Sequence, residues 1–183
     1  MPMSAFRVIA ATATAALLSA CAGGGEQRTA PYPTVRQRAP PRSAPARAIS
    51  APTFVATSGS IELLIIRSSE LALQRSAAAR IRDFAEIMIR DHKGTSAQLS
   101  FAGRRLNLLP SASLQPREQA ALDSLSAAPD FDATFVRLQR TAHQNLLALD
   151  QAYAAQGRSP TVRPVAQAAI PIEQRHLRLL AYL

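Results

Sequence analysis

The stretch Ile81–Ala102, IRDFAEIMIRDHKGTSAQLSFA, decides how the rest of the chain is read. Its apolar or small residues fall at 81, 85, 88, 95, 99 and 102, a four-three alternation that only an α-helix turns onto one face. The rhythm has one gap, at position 92, and a histidine fills it. An imidazole inside an apolar stripe needs a partner, because a buried polar group without one costs free energy. Its partner must come from another helix.

Similar spacing recurs on both sides. It predicts helices over Phe54–Gln74, Ala77–Leu106, Phe131 to just before Gly157, and Pro160–Tyr182, with a short helix at Pro116–Ser126 that has proline in its first turn. Strand alternation and internal repeats are absent. The first two long helices are joined tightly, and so are the last two, so each pair is expected to be an antiparallel hairpin. The segment Asn107–Asp130 is long enough to cross the bundle. Two hairpins with one long crossover describe an all-α, ferritin-like four-helix bundle over residues 53–183.

Each long helix offers a metal-ligating residue type at or near its seam. On the first, Val55, Gly59, Glu62, Ile66, Ser69 and Leu73 share a face that contains Glu62. On the third, Phe131, Phe135, Leu138, Ala142, Leu146, Leu149 and Tyr153 form the stripe, with His143 on its edge. On the last, Val165, Ala169, Ile172, His176, Leu179 and Leu183 place His176 on the seam. Counted from the tight turns at 1.5 Å per residue, the residues of each pair differ in height by only ~6 Å, so Glu62, His92, His143 and His176 can share one layer. Glu173 stands three residues before His176, on the same face.

Neutral imidazoles with carboxylates suit a divalent transition metal such as iron, zinc or copper. A complete di-iron carboxylate centre would want a second Glu-x-x-His pair, and the residue three before His92 is Ile89. A mononuclear or variant site is the remaining metal option. The alternative is a hydrogen-bonded layer that sets helix register. Asp91 points about 100° away from His92 on its helix, so it cannot orient that ring from there. Asp132, in the first turn of its helix, is expected to cap or to complement the helix dipole. Pro171 should bend the last helix about one turn before His176.

The N-terminal part is of another kind. Arg7 followed by the apolar run Val8–Leu18 reads as a signal peptide over residues 1–20, the run being far shorter than the ~20 residues of a membrane-spanning helix. It ends in LLSAC, which resembles a bacterial lipoprotein signal. That resemblance implies acylation of Cys21, the only cysteine, and, with Ala22 next to it, sorting to the outer membrane, facing the periplasm. Residues 22–52 carry six prolines and five arginines and read as a disordered tether that could lie on anionic envelope surfaces. The chain is basic, with 21 Lys and Arg against 12 Asp and Glu. With no tryptophan and few aromatics among its arginines, it lacks the stacking platform expected of a nucleic-acid binder. A Gly-x-Ser-x-Gly elbow and a phosphate loop are both missing, so no hydrolase chemistry is indicated.

The stretches RDFAEIMIRDHKGTSAQL, FDATFVRLQRTAH and AIPIEQRHL resemble those of a bacterial family, domain-of-unknown-function family 4142. The resemblance implies an exported, often lipid-anchored protein with a ferritin-like fold. It singles out Met88, Asp91, His92, Phe131, Asp132, His143, Pro171 and His176. Two positions depart from the family's pattern. Ile65 stands where an acid is usual, with Glu62 one turn earlier, and Ala142 precedes His143 where an acid is common. The expected function is that of a non-enzymatic envelope lipoprotein in a binding, structural or stress-related role. The alternative is a metal-binding bundle with redox or metal-handling activity, its ligands drawn from Glu62, His92, His143, Glu173 and His176.

Overall fold

A computed structural model describes residues 48–183; the signal-like segment, Cys21 and most of the tether lie outside the described residues. The described chain is helical: α1 (Ala51–Arg75), α2 (Ala79–Arg104), α3 (Pro116–Ser126), α4 (Phe131–Gln156) and α5 (Arg163–Leu179), closed by a 3-10 turn at Leu180–Tyr182. No described helix is long and apolar enough to cross a membrane. Ala51 and Pro52 belong to the first turn of α1 and not to the linker. Ser50 caps that turn, its hydroxyl accepting from the Thr53 N–H at 3.2 Å, and proline is tolerated there because the first amides have no helical partner. The cap of α4 is Asp130, which accepts from Ala133 N–H at 3.2 Å; Asp132, expected to cap, lies inside the first turn, where its charge faces the helix dipole.

α1 and α2 form one hairpin, α4 and α5 the other, and α1 packs on α4 while α2 packs on α5. α2 ends beside the start of α1, since Gly103 lies against Val55, whereas α4 starts beside the end of α1, with Arg75 stacked over Phe131 at 4.6 Å. The crossover must therefore run the length of the bundle, as in a ferritin-like fold. It is pinned to α1 on the way: Ser60 accepts from Gln115 N–H at 2.8 Å and donates to Glu118 at 3.2 Å, and Arg67 donates to the Ala112 carbonyl at 3.1 Å. Covered by α2, α4 and α3 together, α1 is buried almost all round, including Ser58, Ser60, Ser68 and Ser69.

The core is divided. One hydrophobic cluster contains Ile65, Phe84, Met88, Phe135, Leu146 and Leu180; the second contains Phe54, Val55, Leu99, Tyr153, Val162 and Ala166. Along α2, His92 and Thr95 lie between Met88 of the first and Leu99 of the second. Along α4, Asp150 lies between Leu146 and Tyr153. A polar layer thus crosses the bundle where a continuous apolar core would otherwise run.

Two seams differ from the sequence-based stripes. The buried face of α4 is Phe131, Phe135, Gln139, Ala142, His143, Leu146, Asp150 and Tyr153, so His143 is central to it and Leu138 and Leu149 are peripheral. On α5 the buried positions are Ala166, Ala169, Glu173 and His176, with Leu180 beyond; Val165 and Ile172 are only partly covered and Leu183 is exposed. Pro171 is inside α5 and faces solvent.

Candidate metal centre

The polar layer is built from three elements. α2 contributes His92, α4 contributes His143, and α5 contributes Glu173 and His176 from one face, three residues apart. All four side chains are completely buried, and one potential ligand atom from each lies within 4.8 Å of the others. The imidazole centroids form a nearly equilateral triangle with sides of 5.1, 5.1 and 5.2 Å.

The outward nitrogen of each ring has a neighbour that decides its tautomer. His143 Nδ1 lies 2.7 Å from the Gln139 carbonyl, which can only accept, so Nδ1 carries the proton and Nε2 presents a lone pair. His176 Nε2 lies 3.0 Å from the Asp91 carboxylate and donates to it, leaving the buried Nδ1 as a lone pair. His92 Nδ1 faces Glu62 Oε2 at 3.4 Å, and its Nε2 faces His143 Nε2 at 3.2 Å. A neutral His92 cannot suit both neighbours. If its proton points at Glu62, two lone pairs meet at 3.2 Å; if it points at His143, a lone pair meets a carboxylate. A positive charge between the rings removes the conflict.

Glu173 completes the set, its oxygens 4.0 Å from His92 Nε2 and 3.9 Å from His143 Nε2, and neither oxygen has a hydrogen-bond partner. Burial, reinforced by the charges of Glu62 and Asp150, pushes its carboxyl up to about 9. Burial likewise pushes Asp150 up to about 8, with Glu62 adding to the effect. The imidazoles move the other way. Burial and then His92 drive His176 down to about 4 against the pull of Asp91, and burial with His92 holds His143 well below its ordinary value against the Gln139 bond. Two of the rings are therefore neutral at neutral pH, the form that ligates metals.

Glu62 stands just outside this group of four, against the far side of His92. Its Oε2 accepts from Thr95 Oγ1 at 2.6 Å and Ser96 Oγ at 2.8 Å, which hold it behind the His92 ring. Asp91 is the converse case. It cannot reach His92, but across the α2–α5 seam it bonds His176 and the guanidinium of Arg175, and Arg90 donates to it at 3.1 Å. Burial alone would raise the Asp91 pKa; those bonds and charges outweigh it and hold the carboxyl below its ordinary value. Asp132 takes no part.

Sequence reasoning missed Gln139, Asp150, Thr95 and Ser96. Gln139 donates to Ser68 and Ser69 of α1 at 3.0 Å while its own carbonyl orients His143. Asp150 is buried without any cation or donor on Oδ2. Placing His143 at the centre of the α4 stripe, with spacing 139-143-146-150, would have found both.

Two comparisons match this architecture. The pattern of the domain of unknown function DUF4142 spans residues 36–183. The chain belongs to the DUF4142 family. No curated protein matches it significantly in sequence. Among solved structures, this DUF4142 chain is similar to CopM in its Cu(II)-bound form, at 16% identity and a TM-score of 0.62 over 73% of this chain and 95% of that one. The Cu(I)-bound form of CopM gives 17% identity and a TM-score of 0.61 over 72% and 93%. A DUF305 fragment from Deinococcus radiodurans gives 18% identity and a TM-score of 0.62 over 72% and 92%. At these identities the likeness is one of fold.

Proposed function

We propose that this DUF4142 domain is a metal-binding helical bundle that holds one transition-metal ion through His92, His143, His176 and Glu173, with copper the favoured ion. The supporting observation is the convergence of unpaired lone pairs. Seven buried polar side-chain atoms lack a hydrogen-bond partner among the described residues, and three of them, His176 Nδ1 and both Glu173 oxygens, belong to the inward side of this group, while a fourth, His92 Nδ1, faces Glu62. A layer that served only to set helix register would pair its own groups, because each orphan costs about 1–3 kcal/mol. A second proton on His92 would satisfy both of its contacts, yet it would leave the Glu173 oxygens and His176 Nδ1 unserved.

Ligand atoms ~2.0–2.2 Å from one ion lie up to about 4 Å apart, so a set already within 4.8 Å closes on an ion by small side-chain movements. Glu62, the Gln139 carbonyl and Asp91 each engage the far nitrogen of one imidazole, the outer arrangement that raises ligand basicity and fixes ring orientation. Three imidazoles and a carboxylate suit Cu(II) and Zn(II), and Cu(II) binds such sets more strongly. The similar fold of CopM, known in Cu(II)-bound and Ag-bound forms, supports the same choice. Full burial of all four side chains leaves no room for an organic substrate beside the ion, which favours holding or carrying the metal over catalysis. The signal-like N-terminus and Cys21 support an exported, lipid-anchored location at the outer membrane, facing the periplasm; Cys21→Ser should release the protein from membranes.

The test is metal content. Residues 22–183 contain every described helix and both hydrophobic clusters. Purified without chelator from copper-, zinc- or iron-supplemented cells, they should carry about one ion per chain by mass spectrometry, with copper preferred and His176→Ala depleted. Substoichiometric metal under every supplement, or full occupancy in His176→Ala, overturns the proposal.

A further inference from the structure

The two ends of the bundle differ in charge. One end gathers the start of α1, the end of α2 with the first part of the crossover, and the α4–α5 turn: Phe54 stacks on Tyr153 at 4.2 Å, Gly103 abuts Val55, and Phe101 and Arg105 line a groove with Pro160, Pro164 and Val165. Residues 48–61, 94–117 and 151–172, which build this end and the helix turns leading to it, contain no aspartate or glutamate. Arg104, Arg105, Arg158 and Arg163 are all exposed there. None of them pairs with a described carboxylate; Arg163 donates only to the Gly157 carbonyl.

The same end exposes apolar side chains. Phe101 and Leu109 are each 64% exposed and Leu106 is 38% exposed, close together in sequence and interleaved with Arg104 and Arg105. The opposite end exposes Tyr182 and Leu183, but Asp83 lies beside Arg80 in the groove they line, and Glu86 follows one turn later. Only the first end joins aromatic and leucine side chains to arginine without a countercharge. That pairing matches the boundary of an anionic bilayer, where arginines meet head groups and Phe and Leu enter the acyl edge. The chain also enters the bundle at this end, through Ser50 and Ala51, behind a stretch that carries five more arginines.

We infer that this end of the bundle docks on an anionic lipid surface, with Phe101, Leu106 and Leu109 entering the interface and Arg104, Arg105, Arg158 and Arg163 contacting phosphates. The contact holds the long axis of the bundle away from the membrane. It is independent of metal binding and of acylation at Cys21.

Residues 22–183 should float with vesicles of phosphatidylcholine and phosphatidylglycerol at low salt, should not float with phosphatidylcholine alone, and should release as salt rises. Each arginine near an anionic surface contributes about a fivefold factor in partition. Arg104→Glu, Arg105→Glu and Arg158→Glu together should therefore lower partition more than tenfold, and Phe101→Ser with Leu109→Ser should lower it at unchanged net charge. Arg80→Glu with Arg178→Glu, at the other end, should have less than a third of the effect of Arg104→Glu with Arg105→Glu. Circular dichroism should show equal helicity in every variant. Equal loss for both ends overturns the inference, because charge alone would then explain binding. So does full binding after the triple substitution, which would assign the interaction to the tether. Equal affinity for duplex DNA at the same ionic strength also overturns it.

Discussion

Nε2 of His92 lies 3.2 Å from Nε2 of His143, and the Gln139 carbonyl removes the proton from the facing nitrogen of His143. A neutral His92 that donates to His143 turns a lone pair on Glu62, and one that donates to Glu62 turns a lone pair on His143, so His92 meets both neighbours only with a positive charge on or beside its ring. His143→Leu replaces a buried polar group by an apolar one of similar size, a change that is often near neutral when its partner loses a conflict as well. In chelator-treated protein this variant should unfold within about 1 kcal/mol of the parent, and it should bind no metal. A loss of 3 kcal/mol or more in the metal-free state, with metal binding retained, would identify His143 as a structural residue.

Glu62 and Asp91 touch imidazoles from outside the cluster, at 3.4 Å from His92 Nδ1 and 3.0 Å from His176 Nε2. Removing such partners typically lowers metal affinity 10- to 100-fold. Glu62→Gln and Asp91→Asn should each show that loss by competitive chelator titration while the stoichiometry stays near one. Loss of stoichiometry in Glu62→Gln would restore Glu62 to the ligand set.

The metal-free protein should lose stability as pH rises. Glu173 and Asp150 have folded values of about 9 and 8, above their ordinary values of 4.5 and 3.8, so the stability they contribute is complete below the ordinary values and is lost as pH rises through the folded ones. His176 is depressed to about 4 from 6.5, so its contribution is complete above 6.5 and is lost as pH falls through 4. The two effects oppose each other between about 4.5 and 6.5. From 6.5 to 8 the carboxyls act alone, and the melting temperature with chelator should fall across that interval. Glu173→Gln should reduce that slope by about half, and so should Asp150→Asn; an unchanged slope in both would exclude the buried carboxyls as its source.

Gly103 allows the crossover to leave α2. A Cβ there would meet the Leu108 carbonyl oxygen at 1.9 Å, and Leu108 N–H closes the turn on the Gly103 carbonyl at 2.9 Å, with Asn107 at a φ of 56° between them. Gly103→Ala should cost about 1–3 kcal/mol, the range for forced overpacking, measured by urea denaturation. An effect below 0.5 kcal/mol would mean that the turn relaxes freely.

Most of the fold follows from local spacing. Ile81, Ala85, Met88, His92, Thr95, Leu99 and Ala102 are all buried as their four-three rhythm requires, and the long segment after α2 can only be a crossover because the turns on either side are short. The metal-type residues on α2, α4 and α5 could be placed near one height by counting residues from those turns. Rotation about the helix axes was less legible. In α4 a stripe drawn through Leu138 and Leu149 sets His143 on its edge, and in α5 a stripe through Val165 and Ile172 falls one residue short of the buried Ala166 and Glu173, because an alanine-rich amphipathic helix supports two adjacent stripes almost equally.

The sequence by itself determined which helices exist, how they pair, and that three imidazoles share a level, since periodicity and chain length act along one dimension. The tertiary structure alone decided that Glu173 joins them while Glu62 stands behind His92, and that Asp91 serves the histidine of a different helix. These choices depend on side chains meeting across helix seams, where a rotation of a few tens of degrees changes the partner without changing any spacing along the chain.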